Sequence, residues 1–160
     1  MFGFSSLRCV DCTWLDTNDK NRYGECYCPE ERKYVSPSEQ TCRYFKPNFY
    51  VMTAYCNIKK MPYNCFEMVT LIKLRDKYMV NNDEGIEFLE EYETVGKELA
   101  LRLQTDPYKT DIVNSMEEEY ILPAIELIYE QRLDEAQNCC IRMINNLKIR
   151  YGLAPKIKRL

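Results

Sequence analysis

Five cysteines crowd the first 42 positions of the chain: Cys9, Cys12, Cys26, Cys28 and Cys42. Cys9-Val-Asp-Cys12 is the sharpest signal, because two thiolates three positions apart on a tight turn can grip one tetrahedral ion. The return pair lies in Gly24-Glu25-Cys26-Tyr27-Cys28, and Cys42, followed by Arg43-Tyr44-Phe45-Lys46-Pro47, closes the set. A tetrahedral centre needs four ligands and five are present. Gly24 sits where a turn would present Cys26, so the ligand set read from spacing is Cys9, Cys12, Cys26 and Cys42, with Cys28 as the alternate to Cys26. Zinc and a [4Fe–4S] cluster both accept four thiolates, and spacing does not separate them. Zinc (Zn2+) is preferred, with the cluster as the alternative, because nothing else in the chain supplies an electron partner. A disulfide framework fits less well: the total of nine cysteines is odd, and no secretory leader precedes them.

The chain has no histidine. That absence removes Ser-His-Asp and Cys-His nucleophile pairs, HExxH metal hydrolysis and mixed Cys/His zinc fingers together. Catalysis would have to rest on cysteine, carboxylate, lysine or tyrosine. Thiol chemistry at Cys9 and Cys12 would need a thiol of low pKa, and a thioredoxin-like βαβ context is missing. No hydrolase or transferase constellation is present, so the expected role is non-enzymatic.

The elements that must position these thiols divide at Phe49. Residues 1–49 are broken every few positions by Gly24, Pro29, Pro37, Pro47 and many Asp, Asn and Ser residues, and they hold the single tryptophan, Trp14. Such a segment has too little apolar material for a core and needs a metal or disulfides to fold. The expected architecture is mainly α: a small irregular cysteine-rich metal module, 1–49, followed by a four- or five-helix bundle, 50–160, that ends in a basic tail.

Helical signals begin after Pro47. Asn64 and Glu67 read as a capping box for a helix that carries Phe66, Met68, Val69 and Ile72 and ends near Val80. A second helix starts near Asp83 and places Phe88, Tyr92, Val95, Leu99 and Leu103 on one stripe, opposite Glu87, Glu90, Glu91, Glu93 and Glu98. Asp106 with Pro107 reads as a helix start, and Pro123 as a kink or restart. Asp134 with Gln137 caps a last helix whose stripe is Ala136, Cys140, Ile144, Leu147 and Tyr151, stopped by Gly152 and Pro155. Of the remaining cysteines, Cys140 reads as packing and Cys139 has no assigned role. Cys56 and Cys65 flank a short loop with Pro62 and read as a second metal pair, a redox pair or, most often for this residue type, small core hydrophobes.

Charge is segregated. Residues 83–135 carry sixteen acidic and four basic side chains, whereas 136–160 carry six basic and no acidic ones. Glu117-Glu118-Glu119 and the glutamates of the second helix read as a solvated face or as a surface for a basic protein partner. The tail, Lys156, Lys158 and Arg159, could meet that surface in a homo-oligomer. With a pI near 5.2, general nucleic-acid binding is disfavoured. Lys73, Arg75, Asp76 and Lys77 read as solvated rather than as an anion site. No run of about 20 apolar residues and no leader signal is present, so the expected protein is soluble and cytoplasmic, without membrane contact.

Two resemblances add to this reading. The stretch from Cys9 to Pro47, with its C-x2-C, Tyr-Gly-x-Cys, Val-Ser-Pro and Cys followed by Phe-Lys-Pro, resembles the small HiPIP-like iron–sulfur modules that serve as accessory subunits of glycyl radical decarboxylases. Carried over, it implies Cys9, Cys12, Cys26 and Cys42 as ligands and an accessory or electron-transfer role; some of those modules use a histidine that this chain lacks. The stretches Tyr50-Val-Met-Thr-Ala-Tyr-Cys56 and Leu71-Ile-Lys-Leu-Arg-Asp76, with Gly85 and Tyr92, resemble the bacterial CFI-box type of domain over about residues 50 to 104. Ile72 stands where that pattern has an arginine, and Gly96 where a proline is common. This second resemblance implies a fold rather than an activity.

Overall fold

Turn-forming and helix-forming residues are segregated along the chain, and its architecture follows that division. The computed structural model describes residues 15–37 and 49–153. Two compact units divide the chain, Met1–Phe49 and Tyr50–Leu160. The fold is mainly α, with a three-stranded antiparallel sheet on the N-terminal side.

In the first unit the described residues are regular where an irregular module is expected from composition. Strand β1 (Asp16–Lys20) pairs with β2 (Cys26–Cys28), which pairs with β3 (Lys33–Val35). Gly24 and Pro29 sit in the connections, whereas Asp16, Asn18 and Asp19 lie within β1, where Asp16 Oδ1 accepts from the N–H groups of Asn18 (2.9 Å) and Asp19 (3.2 Å). Asn21 Oδ1 accepts from the N–H groups of Tyr23 (2.9 Å) and Glu25 (3.1 Å), and Gly24 takes φ +77° to return the chain into β2. Arg32, at φ +53°, performs the second reversal.

The second unit is built from α1 (Tyr50–Lys59), α2 (Phe66–Lys77), α3 (Asp83–Thr105), α4 (Lys109–Met116), α5 (Leu122–Tyr129) and α6 (Leu133–Arg150). A π-helical turn, Glu117–Ile121, joins α4 to α5 in one continuous helical run, so six segments form five rods' worth of bundle. Pro123 restarts rather than breaks the run. It lies in the first turn of α5, directly after the widened turn in which Leu122 N–H donates to the Glu117 carbonyl.

The helix starts follow the sequence pattern at α3 and depart from it elsewhere. Asn82 caps α3, its Oδ1 accepting from Gly85 N–H at 2.8 Å. For α2 the N-cap is Cys65, without a side-chain cap bond, so the Asn64–Glu67 box does not form. For α4 the helix begins two residues after Pro107, and Asp106 instead accepts from Tyr108 N–H at 2.8 Å. For α6 the N-cap is Arg132, and Gln137 is used elsewhere, as described below.

Three helices end in the same way. After α1, Met61 N–H donates to Cys56 O and Lys60 N–H to Asn57 O, with Lys60 at φ +56°. Gln131 at φ +60° ends α5, and Gly152 at φ +69° ends α6, with the same pair of bonds. This is the Schellman geometry, which satisfies two orphan carbonyls at the cost of one left-handed residue.

The core of this unit gathers Met52, Tyr55, Met68, Leu74, Leu99, Leu103, Val113 and Ile121, all essentially removed from solvent. Within the α3 stripe Tyr92, Leu99 and Leu103 are buried, while Phe88 and Val95 are half-buried. On α6, Ala136, Ile144 and Leu147 are buried as the stripe requires; Cys140 is only half-buried, and Met143 and Gln137 take core positions instead. Two glycines mark close approaches. A Cβ on Gly85 would lie 2.2 Å from the Met79 carbonyl oxygen, and one on Gly96 would lie 2.5 Å from the Tyr50 ring. Beside Gly96, the Tyr92 hydroxyl accepts from Val51 N–H at 2.9 Å and so satisfies a free donor at the start of α1. Among the described residues, no helix is long and apolar enough to cross a membrane.

Candidate metal centre

Strand β2 is only three residues long, and alternation decides what it presents. Cys26 and Cys28 point to one face and Tyr27 to the other. Both thiols are buried, Cys26 at 1 % and Cys28 at 7 % exposure, in a cluster completed by Leu15 and Val35. Cys26 pairs with Val35 across the ladder and Cys28 with Lys33. On the opposite face Tyr27 and Tyr34 meet edge-on at 5.4 Å, and the Tyr34 hydroxyl donates to Asp19 at 2.8 Å. The hydrogen bond to Asp19 raises the Tyr34 pKa, so the phenol stays protonated.

Cys9, Cys12 and Cys42 lie outside the described residues. Of the five N-terminal thiols, the described residues include Cys26 and Cys28, and these share one buried cluster. Among the described residues, no group of three or more Cys, Asp or Glu is arranged to hold a metal ion. Cys26 and Cys28 fit the chemistry of a soft-metal site as a pair of inward thiols, and any complete donor set would have to draw on Cys9, Cys12 or Cys42. Cys26 is the more enclosed of the two, and both share the face a ligand requires.

In the helical unit, Cys56 and Cys65 are brought into contact, with Sγ atoms 3.7 Å apart and both buried. Cys139 and Cys140 are half-buried, and burial raises the pKa of each, to about 12 for Cys140. Both are held as neutral thiols.

The acidic residues are more occupied than a solvated face implies. Glu117 accepts from the buried Tyr55 hydroxyl and from Lys59 Nζ, each at 2.8 Å, and Lys59 also donates to Asn114 at 3.0 Å. The Lys59 bond holds the Glu117 carboxyl below its ordinary range, against the opposing effect of burial. Burial and the Glu117 bond together push the Tyr55 phenol far upward. Glu91 pairs with the buried Lys148, Glu98 with Arg102 at 2.7 Å, and Glu93 accepts from Tyr50 at 2.9 Å. Glu87, Glu90, Glu118 and Glu119 are exposed. Lys73 is buried at 7 % exposure rather than solvated, and that burial lowers its pKa.

Two further features have no counterpart in the sequence reading. Gln137 exchanges amide hydrogen bonds with Asn82 (2.8 and 3.1 Å), tying the start of α3 to α6. An open groove of about 450 Å³ is lined by residues of α4, the π turn and α6, among them Asp111, Glu119, Tyr120, Asn146 and Arg150. Its walls carry both signs of charge and so select no single charge class of ligand. The chain matches no protein-family model, no curated protein and no solved structure.

Proposed function

We propose that the N-terminal unit is a structural metal module in which a zinc ion is held by the thiolates of Cys9, Cys12, Cys26 and Cys42, with Cys28 as the alternate ligand. The helical unit then serves as a non-enzymatic interaction or regulatory surface, acting in the reducing cytoplasm. One observation carries the reading: the only buried cluster of the described ribbon contains four side chains, and two of them are the thiols of Cys26 and Cys28. Among the described residues, Leu15 and Val35 are the apolar partners of those thiols, and they bury too little area by themselves to offset the ordering of some 20 residues, at roughly 1 to 2 kcal/mol each. A metal bound through those thiols would supply the deficit, since structural zinc sites contribute on the order of 10 kcal/mol. Zinc would act only as a closed, redox-inert cross-link.

The exposed glutamates of α3 and the π turn, Glu87, Glu90, Glu118 and Glu119, suit a basic protein partner. Elemental analysis of the full chain purified anaerobically in reducing buffer tests the metal. About one zinc per chain, lost on Cys12→Ser and Cys42→Ser and retained on Cys140→Ser, is the expected result. Iron with acid-labile sulfide, and a visible band bleached by dithionite, would replace zinc with an iron–sulfur accessory role. A metal-free chain whose N-terminal unit still gives dispersed amide resonances overturns both.

A further inference from the structure

We propose that Cys56 and Cys65 form a reversible disulfide on exposure to a hydroperoxide, making the α1–α2 connection a redox modification site independent of the metal module. The connection is built to hold the two sulfurs together. Cys56 lies at the last full turn of α1, where its carbonyl accepts from Met61 N–H in the terminating loop with left-handed Lys60. Cys65 N–H donates to Pro62 O at 3.0 Å, and its own carbonyl accepts from Val69 N–H as the N-cap of α2. Both backbone ends are therefore fixed, and the Sγ atoms face each other at 3.7 Å. A disulfide needs about 2.05 Å, so the remaining gap falls to side-chain rotation.

The two thiols are not equivalent. Cys56 is completely buried, whereas Cys65 reaches 9 % exposure and is the member a small oxidant can meet. The contact with Cys56, aided by the Met68 N–H in the first turn of α2, lowers the Cys65 pKa, against burial and the nearby Glu67 carboxylate. The same contact, with burial, raises that of Cys56. The exposure of Cys65 makes it the attacking sulfur and leaves the enclosed Cys56 as the resolving one.

The steps balance. The Cys65 thiolate attacks one oxygen of hydrogen peroxide, the O–O bond breaks, and a sulfenic acid forms while the released hydroxide takes up the Cys65 proton as water. Cys56 Sγ then attacks Cys65 Sγ, the S–S bond forms, and the S–O bond breaks. Hydroxide leaves with the Cys56 proton as a second water. Two thiols lose two electrons, and one peroxide becomes two waters. A dithiol reductant reverses the change by exchange.

The test uses the full-length, reduced, metal-loaded chain. Hydrogen peroxide is added in a few equivalents, the sample is quenched in acid, alkylated under denaturing conditions and mapped by peptide mass spectrometry, with zinc measured on the same sample. A linked Cys56–Cys65 peptide, 2 Da lighter than the reduced pair and restored by dithiothreitol, is expected, together with a Tm several degrees higher. In Cys56→Ser, Cys65 should accumulate as a dimedone-reactive sulfenic acid; in Cys65→Ser, Cys56 should stay a free thiol. Free thiols at both 56 and 65 after excess peroxide, whatever happens at the other seven cysteines, overturn the proposal. So does linkage of either residue to a different cysteine. Because the readout is the 56–65 peptide, its absence overturns this proposal whether or not zinc is released, and the zinc content before peroxide bears on the metal reading alone.

Discussion

The two thiol pairs sit in opposite surroundings. Cys26 and Cys28 occupy half of a four-residue cluster in a ribbon of three short strands, whereas Cys56 and Cys65 are two among many buried side chains of a helical core. In the helical unit Met52, Tyr55, Leu74, Leu99 and Leu103 already exclude water, and the sulfurs there add little to what apolar burial supplies. Among the described residues of the ribbon, the same residue type is half of the buried cluster. The difference teaches that a cysteine's surroundings set what it can contribute: on the two proposals above, the thiols of the poor core would be bonded to a metal, and those of the rich core would be left for redox chemistry.

The largest effect that could break this comparison is removal of the proposed metal. A strong chelator should unfold the first unit, a loss on the order of 10 kcal/mol, while the helical far-ultraviolet circular dichroism persists. Cooperative loss of both signals would mean that the second unit depends on the first. Next in size is Leu99→Ala, which removes a fully buried side chain from α3 and should cost about 2 to 5 kcal/mol by denaturant titration. Zinc stoichiometry should not change, and a fall in bound zinc would show that the two units are not energetically separate.

Smaller is Glu117→Gln. In the folded chain the Glu117 carboxyl titrates below its ordinary value of 4.5, so its stabilisation is complete above that value and is lost as pH falls through the depressed one. The variant should lose about 1 kcal/mol at pH 7 and show a shallower acid limb, read from Tm between pH 6 and 3. An unchanged acid limb would remove the Lys59–Glu117–Tyr55 cluster as a source of pH dependence. The smallest effect is a gain. Lys60→Gly relieves a left-handed non-glycine residue at the end of α1 and should add up to about 1 kcal/mol, without altering the reactivity of Cys56 and Cys65.

Much of the helical unit was legible because period and punctuation are local. The stripe from Tyr92 to Leu103, the start of α3 near Asp83 and the stop at Gly152 depend on residues within one or two turns of each other. Failures fell where a distant partner competed. Gln137, with Asp134, reads as an α6 cap, but across the bundle it finds the Asn82 amide, which no local pattern encodes. Glu117 reads as part of a solvated run, but it lies against Tyr55 and Lys59, 62 and 58 positions away. The ribbon was missed because strands of three to five residues leave too few alternations to outweigh the turn residues between them. At the candidate metal centre, the sequence names five thiols, and the described residues resolve the shared facing of two, Cys26 and Cys28.

From sequence alone came the mainly helical class, the concentration of soft ligands ahead of Phe49 and the exclusion of histidine chemistry, because composition and short-range periodicity act without reference to the rest of the chain. Tertiary structure alone decided that Cys56 and Cys65 touch, that Lys73 and Lys148 are buried, and that Gly85 and Gly96 stand where backbone or ring leaves no room for a Cβ. Those outcomes depend on which surfaces pack together, and packing is settled by shape and burial between segments far apart in sequence.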